Sequence, residues 1–345
     1  MRTAFQICSR KYIGSKRLLR DRIRARILDG APPPAAILDG FFGTGAVTAS
    51  FLEAGVRRVV AVDNLRSNCV ILRGFLAASG MGRARTLLAH CNGLPGGRGY
   101  ITESFSNTYF TMENCMRMDS IREEIERMRR AGEVDGPEHD FLLASFLLAA
   151  DRVANTVGQY DAYLKNIDGR NEAGGRHLVD ERVHTPFLLQ PLEPLAAEGR
   201  RIEVMEGDIL SLLPGIGTEV SYFDPPYNGR QYIANYHVLE NLCRWEKPPL
   251  RGKTRKFDAP RLASPFSRRT EARGALETLM ARSRSPSVFL SYNAEGILPR
   301  EEILSILRVH GETECFELPY RVFGNGAGKA RDRGVVEYLF RLRRS

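Results

Sequence analysis

Five short apolar runs, most of them closing on Asp or Gly, constrain this chain more than any other feature. They are AAILDGF (35–41), RRVVAVD (57–63), RIEVMEGD (201–208), VSYFDPP (220–226) and SVFLSYN (287–293). Helical patterns separate them. Strand-length apolar runs alternating with helices build a parallel α/β sheet with both faces covered. A helix is predicted over Ala46 to Ala54, stopped by Gly55, and another over Arg66 to Ala78. CFELPY (315–320) and VVEYLFRL (335–342) read as two strands of a hairpin that adds an antiparallel edge.

The rhythm stops between about residues 90 and 200, where an insertion is predicted. Its start, NGLPGGRGYITESFSNTYF, reads as a Gly-rich loop. Met112, Cys115, Met118, Ile121, Ile125 and Met128 then recur at helical spacing, and Phe141 to Val153 is apolar nearly all round, as in a buried helix. The stretch 247–269 holds too many Pro, Gly and charged residues for a packed element and reads as a mobile surface loop. The expected organisation is a sheet domain from 1–90 and 200–345, with a helical insertion over 91–199.

Charge sharpens this picture. Lys plus Arg number 50 and Asp plus Glu 41, for a net +9 in 345 residues. From Glu246 to Ser345 alone there are 20 basic and 12 acidic residues, so nearly the whole excess lies there. One part of the surface is expected to face a polyanion, although a generally basic surface would give the same count. The six Cys are scattered with no C-x-x-C pair, which argues against a zinc ribbon or a disulfide scaffold. No apolar run approaches a membrane span. A soluble, monomeric, cytoplasmic protein without a metal site is expected.

Three constellations carry chemistry. LDGFFGTGAV (Leu38 to Val47) joins a strand end to a helix, and Gly43 and Gly45 allow a tight turn close to a ligand. Thr48 stands where a dinucleotide fingerprint would have its third Gly, and a plain βα turn would read the same way. Asp63 ends the second strand, 24 residues after Asp39, near the spacing at which an acidic residue takes ribose hydroxyls; it could equally cap the next helix. Asp224-Pro225-Pro226-Tyr227 follows an apolar strand. Its prolines hold the backbone away from helix, so that two acceptors, the Asp224 carboxylate and the Pro225 carbonyl, stand beside an aromatic ring. Acceptors plus a ring suit an exocyclic amine on a flat heterocycle.

With these motifs the chain resembles the S-adenosylmethionine-dependent adenine-specific (N6) DNA methyltransferases, of the alpha-group DNA adenine methylase type found in restriction-modification systems. The resemblance rests on KYIGSK (11–16), LDGFFGTGAV, DPPY and RQYIANYHVLE (230–240). ANTVGQYDAYLK (154–165) and SPFSRRTEAR (264–273) look like segments of a subgroup with a helical insertion. It implies a Rossmann-like seven-stranded class I methyltransferase sheet with a C-terminal antiparallel hairpin and a target-recognition insertion. It further implies that Tyr12 and Lys16 approach the methionine end of the cofactor, with Lys16 or its amide facing the carboxylate. Asp39, Phe42, Gly43 and Gly45 would line the methionine and sulfonium, Asp63 the ribose, and Asp208 the adenine amine. Asp224, Pro225, Pro226 and Tyr227 would act on the target base. Plainer roles stay open: a helix-start Lys for Lys16, a core ring for Tyr12, a helix cap for Asp208.

The activity so implied is direct methyl transfer to the N6 amine of an adenine flipped out of duplex DNA. Arg251, Lys253, Arg255, Lys256, Arg268 and Arg269, with the segment from Arg321 to Arg333, are candidate phosphate contacts. Asn155, Gln159, Tyr160, Tyr163 and Lys165 are candidate contacts to bases or backbone, though the tyrosines could simply pack. D-P-P-Y would also fit RNA adenine or DNA cytosine N4 methylation, and an inactive DNA-binding relative is a further alternative. A cognate restriction endonuclease is a possible companion.

Overall fold

A computed structural model describes residues 4–8, 10, 12–164, 167, 181–323 and 332–344. The strands are β1 (Ala36–Asp39), β2 (Arg58–Asp63), β3 (Arg201–Glu206), β4 (Val220–Phe223), β5 (Ser287–Asn293), β6 (Glu312–Phe323) and β7 (Asp332–Arg343). The helices are α1 (Arg20–Leu28), α2 (Ala46–Glu53), α3 (Arg66–Ala77), α4 (Ala84–Asn92), α5 (Tyr100–Phe105), α6 (Met112–Arg130), α7 (Gly136–Val153), α8 (Ile209–Leu212), α9 (Tyr232–Arg244), α10 (Ala272–Arg282) and α11 (Arg300–Arg308). Two compact units emerge. One comprises Gly14–Leu65, Ala196–Tyr232 and Pro260–Ser345; the other comprises Met1–Ile13, Arg66–Leu195 and Ile233–Ala259.

The first unit holds the whole sheet, in the order β3-β2-β1-β4-β5-β7-β6. Strands β3 to β5 run parallel, and β7 enters antiparallel between β5 and β6. Leu38, Val60, Phe223, Val288, Leu290 and Phe340 of the sheet pack with Leu276 and Leu279 of α10 and Ile303 and Leu307 of α11 in one apolar cluster. Each such side chain contributes roughly 1.5–3 kcal/mol when fully buried. Strand order reverses direction at β1 and β4, where Leu38 pairs with Ser221 and Asp39 with Tyr222. Open parallel sheets take ligands in the crevice beyond the carboxyl ends of the strands at such a switch point.

The second unit is helical. Its share of the chain is wider than the predicted insertion, since α3 and nearly all of α9 join it. Cys115, Met118, Ile121, Ile125 and Met128 are buried along α6, and α7 is buried over almost its whole length. The Gly-rich start of the insertion is not all loop: α5 forms there because the Asp119 carboxylate, on α6, accepts from the amides of Ile101 and Thr102 at 2.7 and 2.8 Å. These amides at the helix start have no intrahelical acceptor, and a carboxylate from a distant element satisfies them. Glu240 of α9 does the same for α3, accepting from the Arg66 and Ser67 amides at 3.0 and 2.9 Å. No helix of the described residues is long and apolar enough to cross a membrane.

Candidate active site

Two carboxylates stand at the carboxyl ends of neighbouring strands in the sheet unit. Asp39 closes β1 and is fully buried; Asp224 follows β4 and is 15% exposed. Thr48 Oγ1 donates to Asp39 Oδ2 at 2.7 Å, while Asp39 Oδ1 is buried without a hydrogen-bond partner among the described residues. Burial pushes the Asp39 carboxyl from its usual 3.8 up to about 7, with the charges of Asp224 and Asp63 adding to the rise and the Thr48 hydrogen bond opposing it. A buried carboxylate oxygen with no donor is expensive unless a ligand group reaches it.

The turn after β1 is made by Gly43 and Gly45, both in the left-handed region (φ 55° and 77°). The Gly45 amide donates to the Phe42 carbonyl at 2.8 Å, and α2 starts immediately after. Asp63 holds this turn from β2: its Oδ2 accepts from the Gly43 amide and its Oδ1 from the Leu65 amide, each at 2.9 Å. Asp63 thus both holds the glycine turn and caps the start of the next helix. Phe42 is buried beside the turn. Asp208 is exposed and caps α8, accepting from the Leu210 amide and the Ser211 hydroxyl, both at 3.2 Å.

Lys16 lies among acids. Its Nζ lies 2.7 Å from Asp224 Oδ1 and 3.3 Å from Glu337 Oε1, and donates to the Gly14 carbonyl at 3.1 Å. The ammonium therefore faces two acids and one backbone carbonyl within the sheet unit. Burial alone would depress its pKa; Asp224 and Glu337 outweigh that and hold it well above the ordinary lysine value. For Asp224, burial pushes the carboxyl up to about 7, the Lys16 charge opposing and the Glu337 charge adding.

The rest of the DPPY turn is fixed by packing. Tyr227 lies with its ring 6.3 Å from that of Tyr292, edge-on, and its carbonyl accepts from the Ile297 amide at 2.8 Å. Gly14, at φ +71°, lets the chain leading to Lys16 pass close by: a Cβ there would stand 2.9 Å from Tyr232 Oη and 3.3 Å from Tyr227 Cε1. Pro225 is buried and Pro226 half-buried. Sequence reasoning does not reach Glu337, Ser291 or Gly14 as site residues. The one usable signal is Glu337 itself, an acid inside the apolar strand VVEYLFRL.

In the helical unit, Tyr12 stacks on Tyr236 with ring centroids 4.4 Å apart, and its hydroxyl accepts from Asn68 at 3.1 Å. The Arg10 guanidinium sits over both rings. Two expected base contacts are instead internal. Asn155 is 1% exposed and donates to the carbonyls of Thr108 and Leu164, and Tyr160 is fully buried with its hydroxyl donating to Asp151 at 3.0 Å. Their polar atoms hold a turn together, and burial keeps them from base edges. Gln159 and Tyr163 are half-buried, and Lys165 lies outside the described residues.

The basic stretch 247–269 is more ordered than its composition suggests. Arg251 and Lys256 exchange backbone hydrogen bonds at 2.7 and 3.0 Å, and the Thr254 carbonyl accepts from Tyr109 Oη at 3.0 Å and lies 2.6 Å from His237 Nε2. Arg251, Lys253 and Arg255 project from this turn and are exposed, with Lys256 half-buried. Arg251 pairs with Asp258 at 2.9 Å. Arg268 and Arg269, exposed in the sheet unit, are separate; Arg268 pairs with Glu271. Residues 324–331 of the C-terminal hairpin lie outside the described residues.

A sheet of this order, with β7 antiparallel and carboxylates at its switch point, is the sheet of the Rossmann-like methyltransferases. Sequence comparison agrees and goes further. The chain belongs to the D12 class N6 adenine-specific DNA methyltransferase family, which matches residues 12–271. It is 29% identical to the type II methyltransferase M.NlaIII of Neisseria lactamica, over 97% of this chain and 99% of that one. It is also 29% identical to the modification methylase StsI of Streptococcus sanguinis, over 97% of this chain but only about half (52%) of that protein's length. With the type II methyltransferase M.CviAII of Paramecium bursaria Chlorella virus 1 the identity is 32%, over 70% of this chain and 69% of the relative.

Proposed function

We propose that this protein is a site-specific DNA methyltransferase that transfers the methyl group of S-adenosylmethionine to the N6 amine of an adenine flipped out of duplex DNA. The observation that carries the reading is the Asp224 carboxylate, held on a proline-stiffened turn at the end of β4 and paired with a buried lysine. S-adenosylmethionine supplies a methyl group already activated on a sulfonium.

The protein's task is then to orient a weak amine nucleophile. Asp224 and the Pro225 carbonyl accept the amine N–H groups, which turns the nitrogen lone pair toward the methyl group and stabilises the positive charge that grows on nitrogen. Tyr227 offers a face for the extruded base. Asp39 Oδ1, which accepts no hydrogen bond of good geometry among the described residues, suits the cationic end of the cofactor. Phe42, Gly43, Gly45 and Asp63 would hold the remainder of that half, and Asp208 the adenine amine. The exposed Arg251, Lys253 and Arg255, with Arg268 and Arg269, supply sequence-independent attraction to phosphates.

The relatives' names, modification methylase and type II methyltransferase, support the modification enzyme of a restriction-modification system. With that role goes our reading of a cytoplasmic monomer acting beside an endonuclease of the same specificity. The test is transfer of labelled methyl from S-adenosylmethionine to mixed duplex DNA, followed by nucleoside analysis. Label in N6-methyladenine is expected. Label only in RNA, or in N4-methylcytosine, would replace the substrate, and no label in any nucleic acid would refute the reading.

A further inference from the structure

β7 carries a carboxylate where its neighbours are apolar. Glu337 is 1% exposed; its Oε1 accepts from Ser291 Oγ on β5 at 2.7 Å and lies 3.3 Å from Lys16 Nζ, which is in turn 2.7 Å from Asp224. One ammonium is therefore shared by two acids. Stability does not account for the second acid, because desolvating it costs more than one shared cation returns, and such clusters are often no more stable than apolar replacements. Glu337 also lies beyond residues 12–271, the part matched by the family.

We propose that Glu337 is a positioning residue of the methyl transfer: by dividing the Lys16 ammonium between two carboxylates, it fixes the direction of Asp224 and leaves Asp224 a strong acceptor for the amine N–H. The proposal rests on the methyltransferase reading above. Without Glu337 the ammonium, already 2.7 Å from Asp224, would direct its whole charge at that one acid. With Ser291 and the Gly14 carbonyl holding the other side, the ammonium stays between the two acids. When the C–S bond breaks and the new N–C bond forms, the sulfur keeps the electron pair, the nitrogen becomes cationic and must shed a proton, and an undiminished Asp224 carboxylate is the group placed to accept it.

The groups that face Asp224 are Lys16, Glu337 from β7, Tyr222 of its own strand β4, Asp39 from β1, Tyr227 of its own turn and Tyr320 from β6. Of these, Glu337 acts on Asp224 in the direction of a higher pKa. Glu337→Gln keeps the shape and removes the charge, so the acid limb of kcat should move to lower pH by about one unit while kcat falls roughly tenfold and KM changes little. Glu337→Asp, which retains the charge, should restore the wild-type limb.

The test is single-turnover transfer of labelled methyl to duplex DNA across pH 5.5–9.5 for the wild type and both variants. A fall in kcat with an unmoved limb means a merely structural Glu337 and overturns the proposal, as does a wild-type profile for Glu337→Gln. If Glu337→Gln does not fold, Ser291→Ala, which removes the hydroxyl that orients Glu337, should lower kcat several-fold at constant KM; an unchanged kcat overturns the proposal too. A wild type that transfers no methyl defeats the functional reading along with it, whereas an active wild type with unaffected variants defeats this inference alone.

Discussion

Replacing Lys16 by methionine removes the cation between Asp224 and Glu337 while keeping the volume of the side chain. An opposite charge within a few ångströms typically holds a carboxyl pKa down by 1–3 units, so its loss should lift Asp224 from about 7 to roughly 8–10. At pH 7.5 the ionised fraction of Asp224 would fall from about three-quarters to about one-quarter at the smaller shift, and to under about 1% at the larger. Methyl transfer should therefore drop between about threefold and a few hundredfold at pH 7.5 and recover as pH rises, the opposite direction to the Glu337→Gln shift. Stability should fall as well, by about 3–5 kcal/mol, because breaking a buried pair strands its partner. The assay is single-turnover transfer against pH at a temperature where circular dichroism shows the variant folded, with Lys16→Arg as the charge-retaining control. A folded Lys16→Met whose acid limb coincides with that of the wild type would refute the electrostatic argument.

Three further outcomes are expected. Burial lifts Asp39 from 3.8 to about 7, so the folded state keeps a proton that the unfolded chain has lost, and stability falls as pH rises from about 4 to about 7. Asp39→Asn keeps an acceptor for Thr48 and should raise the unfolding free energy at pH 8 by a few kcal/mol, with no gain at pH 4, while weakening S-adenosylmethionine binding; an equal thermal shift at both pH values would exclude the burial argument. Removing charge at Arg251, Lys253 and Arg255 together should flatten the salt dependence of duplex binding by up to about 0.9 log–log units for each phosphate no longer neutralised, as read by fluorescence anisotropy, and an unchanged slope would dismiss this turn as a DNA-binding element. Asp119→Ala uncaps α5 and should cost about 1–2 kcal/mol in urea unfolding; a neutral substitution would show that the cap does not bear on stability.

The sheet is legible in the sequence because each parallel strand is a self-contained signal. β1 to β5 fall inside the apolar runs at 35–41, 57–63, 201–208, 220–226 and 287–293, and α6 and α7 follow from periodicity alone. β6 and β7 run several residues longer than their apolar cores, since their ladder continues past the apolar positions. α5 is hidden in a Gly-rich stretch, because the carboxylate that satisfies its first amides comes from Asp119, well along the chain. The turn at 251–256 is hidden likewise, its anchor being a backbone carbonyl that no composition reveals.

By itself, the sequence determined the strand ends, the glycine turn and the acceptor-bearing DPPY turn, since these depend on backbone restrictions local to a few residues. Only the tertiary structure decided that Lys16 stands between Asp224 and Glu337, that Ser291 holds Glu337, and that Asn155 and Tyr160 face inward. The physical reason is that charge pairing and burial act across space. Lys16 and Glu337 are separated by most of the chain, and β7 meets β5 through a sheet order that local patterns do not encode.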